Sequence, residues 1–244
     1  MNEPILLARI PWDAQGIFKN RPNRYLGIVD IIQPTPETDV KVHIHDPGRL
    51  KELLFPGNQV LLQHKSNPQR KTRWDVIAAR IDNEWVLIHS GFHRTIANQI
   101  LLNAQVSPFP STLTIKPEVA WEKSRLDFLL TDKTSQRIWI EVKGCTLAQN
   151  KVALFPDAPT KRGCRHLKTL MSIKASGAQA ALLILIFRSD ATQFRPNAAT
   201  DPEFARLFYQ SINQGIVVHP MVLQYSGGQI FYLKQVPVGM TEAC

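Results

Sequence analysis

Cysteine is scarce: only Cys145, Cys164 and Cys244 occur in 244 residues. The number is odd and no pair has a metal-binding spacing, so neither a disulfide framework nor a zinc ribbon is expected. Long apolar runs are missing as well, and nothing approaches the roughly 20 residues that a membrane span requires. The first ten residues lack the basic start and apolar centre of a secretory signal. Together these absences point to a reducing compartment and a soluble cytoplasmic protein without a membrane partner. Acidic residues are the scarcer charge, 20 Asp and Glu against 29 Lys and Arg, which leaves a formal net charge of +9. A basic surplus favours polyanions such as nucleic acid, although charge alone names no partner.

What is present reads as mixed α/β in two units, residues 1–90 and 91–244, without internal repeats or low-complexity tracts. The first unit consists of short strand patterns at 16–19, 25–32, 40–45, 59–63, 75–81 and 85–89. A brief helical pattern at 47–54 follows Asp46 as N-cap, with Pro47 in its first turn. Three strands, a helix and further strands match the order of an OB-type β-barrel, a fold that often binds oligonucleotides. Basic residues punctuate its turns: Lys19, Arg21 and Arg24 in one, Lys65, Arg70, Lys71 and Arg73 in another. Phe18, Tyr25 and Trp74 lie beside them, so the turns are candidate surfaces for phosphate contact and base stacking.

The second unit opens with a helix over 93–105, where Ile96, Ile100 and Leu101 recur at helical spacing. Strands follow at 112–121, 125–130 and 137–143, then a loop at 154–160 and a helix at 161–175. The unbroken apolar run 180–187 fits a central strand buried on both faces. A further helix at 202–214 precedes strands at 216–224 and 229–233. Thr160 is positioned to cap the helix at 161, whose exposed N-terminal amides and neighbouring Lys161, Arg162, Arg165, His166 and Lys168 would attract phosphate.

The strands 125–130 and 137–143 carry charge inside apolar runs. Period-two alternation places Leu126, Phe128 and Leu130 on one face, and Ile138, Ile140 and Val142 on one face of the second strand. Pairing these triplets in an antiparallel hairpin sets Leu130 against Ile138, Phe128 against Ile140 and Leu126 against Val142. Asp127 then faces Glu141, with Lys143 one pleat along. Two facing carboxylates repel unless a proton or cation lies between them, and a hard cation such as Mg²⁺ is held by one or two carboxylates. A solvated cross-strand salt bridge explains the same three residues equally well. Cys145, with no histidine close in sequence to serve as its base, is read as a small packed side chain.

The flanking residues are more specific. Ser124-Arg125-Leu126-Asp127-Phe128-Leu129-Leu130, Glu141-Val142-Lys143-Gly144-Cys145-Thr146-Leu147, and Phe155-Pro156-Asp157-Ala158-Pro159-Thr160-Lys161-Arg162-Gly163 with His166-Leu167, together with His45-Asp46-Pro47-Gly48-Arg49-Leu50, resemble the sugar fermentation stimulation protein family. The spacing of Asp127 and Glu141-Val142-Lys143 resembles the PD-(D/E)xK nuclease motif, except that Leu126 stands where the motif's name has proline. The resemblance implies an OB-type barrel followed by a PD-(D/E)xK nuclease-like α/β domain with a central mixed sheet. It also implies DNA binding and an association with sugar utilisation, notably of maltose. By carry-over Asp127, Glu141, Lys143 and Glu118 are the candidate catalytic residues, and Asp127, Glu141 and Glu118 the ligands of Mg²⁺ or Mn²⁺. Arg21, Arg24, Arg49, Arg125, Lys161, Arg162, Arg165 and His166 are the candidate nucleic-acid contacts. The expected partner is duplex, branched or single-stranded DNA, with a homodimer as the default assembly. Two functions compete: a metal-dependent phosphodiesterase of endonuclease type, and a non-catalytic DNA-binding regulator of sugar-utilisation genes.

Overall fold

The computed structural model describes residues 3–109 and 112–239; Cys244 lies outside them. A first strand, β1 (Ile5–Arg9), leads into β2 (Ala14–Asn23), β3 (Leu26–Gln33), β4 (Glu37–His43), β5 (Gln59–His64) and β6 (Trp74–Ile81). Strands β2 to β6 close into a barrel of order β4-β3-β2-β5-β6, sealed by a parallel pairing of β4 with β6 through Val42–Trp74 and His43–Asp75. In β3, Gly27, Val29 and Ile31 are buried in alternation, as expected where one face meets a core and the other solvent. Phe18 is fully buried inside. It is therefore core and does not present the stacking surface expected of it.

The helix expected over 47–54 is replaced by turns. Leu50 adopts a φ of 49°, a left-handed conformation that breaks right-handed helix propagation. Asp46 accepts the amide of Gly48 at 2.7 Å, closing a local turn where a helix cap was expected.

After β7 (Glu84–Leu87) and a 3-10 turn at Ser90–Phe92 come α1 (His93–Leu102), β8 (Thr112–Trp121), β9 (Ser124–Asp132) and β10 (Arg137–Cys145). The rest comprises β11 (Ala148–Gln149), β12 (Val152–Phe155), α2 (Lys161–Ala175), β13 (Gln179–Ile186), β14 (Gln193–Pro196), α3 (Pro202–Asn213), β15 (Val217–Ser226) and β16 (Gln229–Gln235). Antiparallel β8, β9 and β10 continue into parallel β10, β13 and β15, and antiparallel β16 follows. Residues 5–9, counted with the barrel from sequence, instead pair with β16 and finish that side of the sheet. Strands β12 and β14 form a small separate sheet with β11, so part of the segment expected to be loop is strand.

Strand β13 is buried from Ala180 to Ile186, as its apolar run predicts. Leu183 and Leu185 face α1 and share one continuous core with the barrel, whereas Leu182, Ile184 and Ile186 pack against Leu167, Leu170, Phe204 and Phe208 of α2 and α3. Truncating any of these leucines to alanine would cost about 2–5 kcal/mol. Asp201 ties the two helices together, because one carboxylate oxygen caps α3 at the Phe204 amide (2.9 Å) and the other takes the Thr160 amide (2.7 Å).

Candidate metal and nucleic-acid site

The hairpin register matches the expected one over Leu130–Ile138 and Phe128–Ile140, where the β9–β10 ladder ends. Leu126 and Val142 do not pair. The Val142 amide instead donates to Asp127 Oδ2 at 2.7 Å, so the carboxylate takes the hydrogen bond that the next ladder position would have supplied. A buried amide must find some acceptor, and Asp127 satisfies it while turning β9 away from β10. Leu126 accordingly packs in the α2–α3 layer, whereas Phe128 and Leu130 stay with the barrel-side core.

Glu141 projects toward α2 and its side chain is 3% exposed. Its Oε1 accepts from Lys143 Nζ and meets His166 Nδ1. Its Oε2 is buried with no hydrogen-bond partner. Burial alone would raise the Glu141 pKa, but the charge of Lys143 and the contact with His166 outweigh it and hold it below its ordinary value. Asp127 moves the other way, pushed up to about 6 by burial and then by the Glu141 charge. Asp127 is thus the less compensated of the two, although the Lys143 charge partly opposes its rise.

His166 reaches this position because Thr160 caps α2, accepting the Gly163 amide at 3.0 Å. Helical periodicity then turns Gly163, His166, Leu167 and Leu170 inward. Arg162 Nε donates to His166 Nε2 at 3.5 Å, so the ring is held from both sides. Gly144 is required beside Lys143: a Cβ there would lie 2.1 Å from Cε1 of His93.

Around the carboxylates opens a cavity of about 600 Å³ in the seam between barrel and sheet. Lys161 and Arg162 of α2, Arg94 of α1, and Arg24 and Asp46 from the barrel line it with Asp127, Glu141 and Lys143. The seam is clasped by Asp157, whose Oδ2 accepts the Leu50 amide at 3.1 Å. Arg21 braces the same loop by donating to the carbonyls of Arg24, Asp46, Gly48 and Arg49. Its guanidinium therefore serves the scaffold. Asp46 is also pushed up to about 6, by burial with the Asp157 charge adding to it.

The remaining expected residues are dispersed. Arg49, Arg125 and Arg165 are exposed and do not line the cavity. Glu118 falls across from Asp127 in β8, between the Pro117–Phe128 and Val119–Leu126 pairs. Its carboxylate is half-exposed and engaged by Arg94 and, at 3.6 Å, by Arg125. Arg94 was not anticipated, since the helix pattern at 93–105 gave no reason to single out one arginine. A cluster of His45, Asp75 and His89 was likewise missed, although its ligand atoms lie within 4.8 Å of one another. Its carboxylate is already engaged, by Arg70 on one oxygen and by His45 (3.2 Å), His89 (3.6 Å) and Lys65 (3.8 Å) on the other. At the other carboxylates, Glu141 Oε2 is buried without a hydrogen-bond partner, which leaves one oxygen ligand open to a hard divalent cation. Among the described residues no helix is long and apolar enough to cross a membrane.

Known proteins share this architecture. Residues 20–88 match the family model described as the SfsA N-terminal OB domain, and residues 91–229 the model described as the sugar fermentation stimulation protein RE domain. A sugar fermentation stimulation protein homolog of Methanococcoides burtonii is 48% identical over 97% of this chain and 96% of its own. That of Thermosipho melanesiensis is 41% identical over 94% and 96%. The solved structure of Pyrococcus furiosus SfsA in complex with Ca²⁺ superposes with a TM-score of 0.87 at 25% identity, covering 97% of this chain and all of that one. The chain belongs to the sugar fermentation stimulation protein family.

Proposed function

We propose that this protein binds DNA and hydrolyses phosphodiester bonds with a divalent cation, Mg²⁺ or Mn²⁺, held by Asp127 and Glu141. The observation that carries this reading is the buried, unpartnered Oε2 of Glu141 beside a carboxyl whose pKa the Glu141 charge helps to raise. A bound cation would lower the pKa of a water and stabilise charge on the phosphoryl oxygens. The Ca²⁺ carried by the Pyrococcus furiosus relative supports a site built from oxygen ligands.

The other roles belong to the chain's own residues. Lys143 Nζ, 3.3 Å from His166 Nδ1 and bonded to Glu141, orients the attacking water. His166 holds Glu141 Oε1, so that this oxygen is spent internally and Oε2 would be left for a cation. Lys161, Arg162 and the amide-rich start of α2 grip the phosphate backbone. Glu118 would have to release Arg94 and Arg125 before it could hold a second ion.

The test incubates purified protein with labelled duplex, single-stranded and branched DNA in Mg²⁺, Mn²⁺ or chelator. Metal-dependent cleavage that disappears in Asp127→Ala and Glu141→Ala is the expected result. Absence of cleavage on every substrate, with cation binding unchanged in both variants, would overturn the reading. DNA affinity should also fall steeply with salt, because phosphate contacts release counterions.

A further inference from the structure

The barrel carries a second cavity, of about 510 Å³, that the hydrolytic site does not use. Tyr25, Lys41, His43, His45, Arg70 and Lys71 line it. These positions lie on β4 and just beyond it, on the turn after β2 and on the loop after β5. In OB barrels the second and third strands and the equivalent loops are where oligonucleotides bind. Fold alone does not establish use, so the argument rests on the side chains.

Tyr25 is half-exposed, yet its backbone is fixed: its amide donates to Asn23 Oδ1 at 2.9 Å and its carbonyl accepts from Ile44 at 2.9 Å. Behind it runs a ladder of rings. Tyr25 stacks on His43 with centroids 6.3 Å apart, His43 meets His45 edge-on at 4.4 Å, and His45 stacks on the buried His89 at 3.7 Å. An aromatic face held this way, with its outer side open, is a stacking platform for a planar base. Around it, Lys41 and Lys71 supply charge, and Arg70 is anchored by Asp75. Such a cavity, aromatic on one wall and cationic on the others, suits one nucleotide of a single strand.

The two cavities share a wall, and consecutive residues part there. Tyr25 and His45 face the barrel cavity, while Arg24 and Asp46 face the Asp127–Glu141 cavity. Arg21 holds that wall by bonding the carbonyls of both Arg24 and Asp46. A strand crossing it passes from a base-stacking surface directly to the paired carboxylates. Bases inside a duplex are already stacked on one another and cannot reach Tyr25.

We propose that the barrel cavity takes an unpaired nucleotide of the DNA strand whose backbone continues into the Asp127–Glu141 cavity, so that the substrate class is DNA with a single-stranded portion beside the scissile bond. This rests on the hydrolytic reading for the second cavity only; the binding half stands by itself.

The experiment measures binding in EDTA, where nothing is cut. Blunt duplex, single strand and a duplex with a single-stranded tail carrying 2-aminopurine are titrated against wild type, Tyr25→Phe and Tyr25→Ala. Stacking is worth about 1–3 kcal/mol per base, or about 5- to 150-fold in affinity. The expected result is quenched 2-aminopurine fluorescence, tail and single-strand affinity at least fivefold weaker in Tyr25→Ala, and recovery in Tyr25→Phe. An unquenched probe, or a Tyr25→Ala loss that is equal for blunt duplex, overturns the proposal. Tyr25-dependent tail binding by a protein that never cuts DNA would sink the hydrolytic reading and leave the binding half of this one standing. Cleavage of blunt and tailed duplex at equal rates in wild type and Tyr25→Ala would do the reverse.

Discussion

Asp127→Asn should make the metal-free protein more stable, and by an amount that depends on pH. In the folded chain the Asp127 carboxyl is pushed up from 3.8 to about 6. Each pKa unit corresponds to about 1.4 kcal/mol, so ionised Asp127 costs the folded state about 3 kcal/mol. The sign follows from proton binding: the folded state holds this proton more tightly than the unfolded state. The penalty is therefore absent below pH 3.8, grows as the pH rises toward 6 and is complete above it, with about half of it present at pH 5. Asparagine cannot ionise, yet its carbonyl can still accept the Val142 amide. Thermal melts in EDTA should show Asp127→Asn above wild type at pH 7.5, by about 6–12 °C at full effect for a chain of this size. The gap should shrink by about half at pH 5. Adding Mn²⁺ at 100 times its dissociation constant should stabilise wild type alone, by about 2.7 kcal/mol, and close the gap at pH 7.5. A variant that melts at or below wild type in EDTA at pH 7.5, or a gap that acid leaves unchanged, would refute the charge argument.

Other substitutions probe the supports of the site. Gly144→Ala should cost about 1–3 kcal/mol in urea denaturation, because its Cβ would lie 2.1 Å from the His93 ring; a neutral effect would show that the ring can leave. Asp201→Ala removes the acceptor for two amides, one at the start of each of α2 and α3, and should lower stability by about 1–2 kcal/mol per cap in the same assay. Native Cys145 should resist thiol reagents until denaturant is added, since the thiol is buried, donates to the Leu147 and Leu154 carbonyls and has its pKa pushed up by burial; a rapid native reaction would contradict its packed role.

The parts of the fold written in periodicity were legible. Alternation gave the Leu130–Ile138 and Phe128–Ile140 pairs, the unbroken apolar run of β13 gave a doubly covered strand, and Thr160 announced the start of α2. The parts decided by single side chains competing with the backbone were not. Asp127 takes the amide that ladder arithmetic assigned to the next pair, and Leu126 changes layers as a result. Leu50 enters a left-handed conformation that no local pattern requires, so a helix was expected where turns occur. Within the site, Glu141 and Lys143 were readable from their shared strand face, whereas His166, expected to contact phosphate, is buried and spends its ring on Glu141 and Arg162. Arg94 and the His45–Asp75–His89 cluster depend on long-range packing between α1, the barrel strands and the seam.

The pairing of β1 with β16 has a consequence for synthesis. Ile10 donates its amide to the Gly228 carbonyl, and Tyr225 reaches the Ile10 carbonyl through its hydroxyl. The chain's opening strand is thus seated only after residue 229 and its neighbours have left the ribosome, while the barrel that follows it can close long before. Until then β1 lacks its strand partner. A fragment cut at residue 91 would lack it, leaving the β16 edge open to pairing with other chains. To separate barrel and sheet, a gene would have to carry β1 across the gap on a linker.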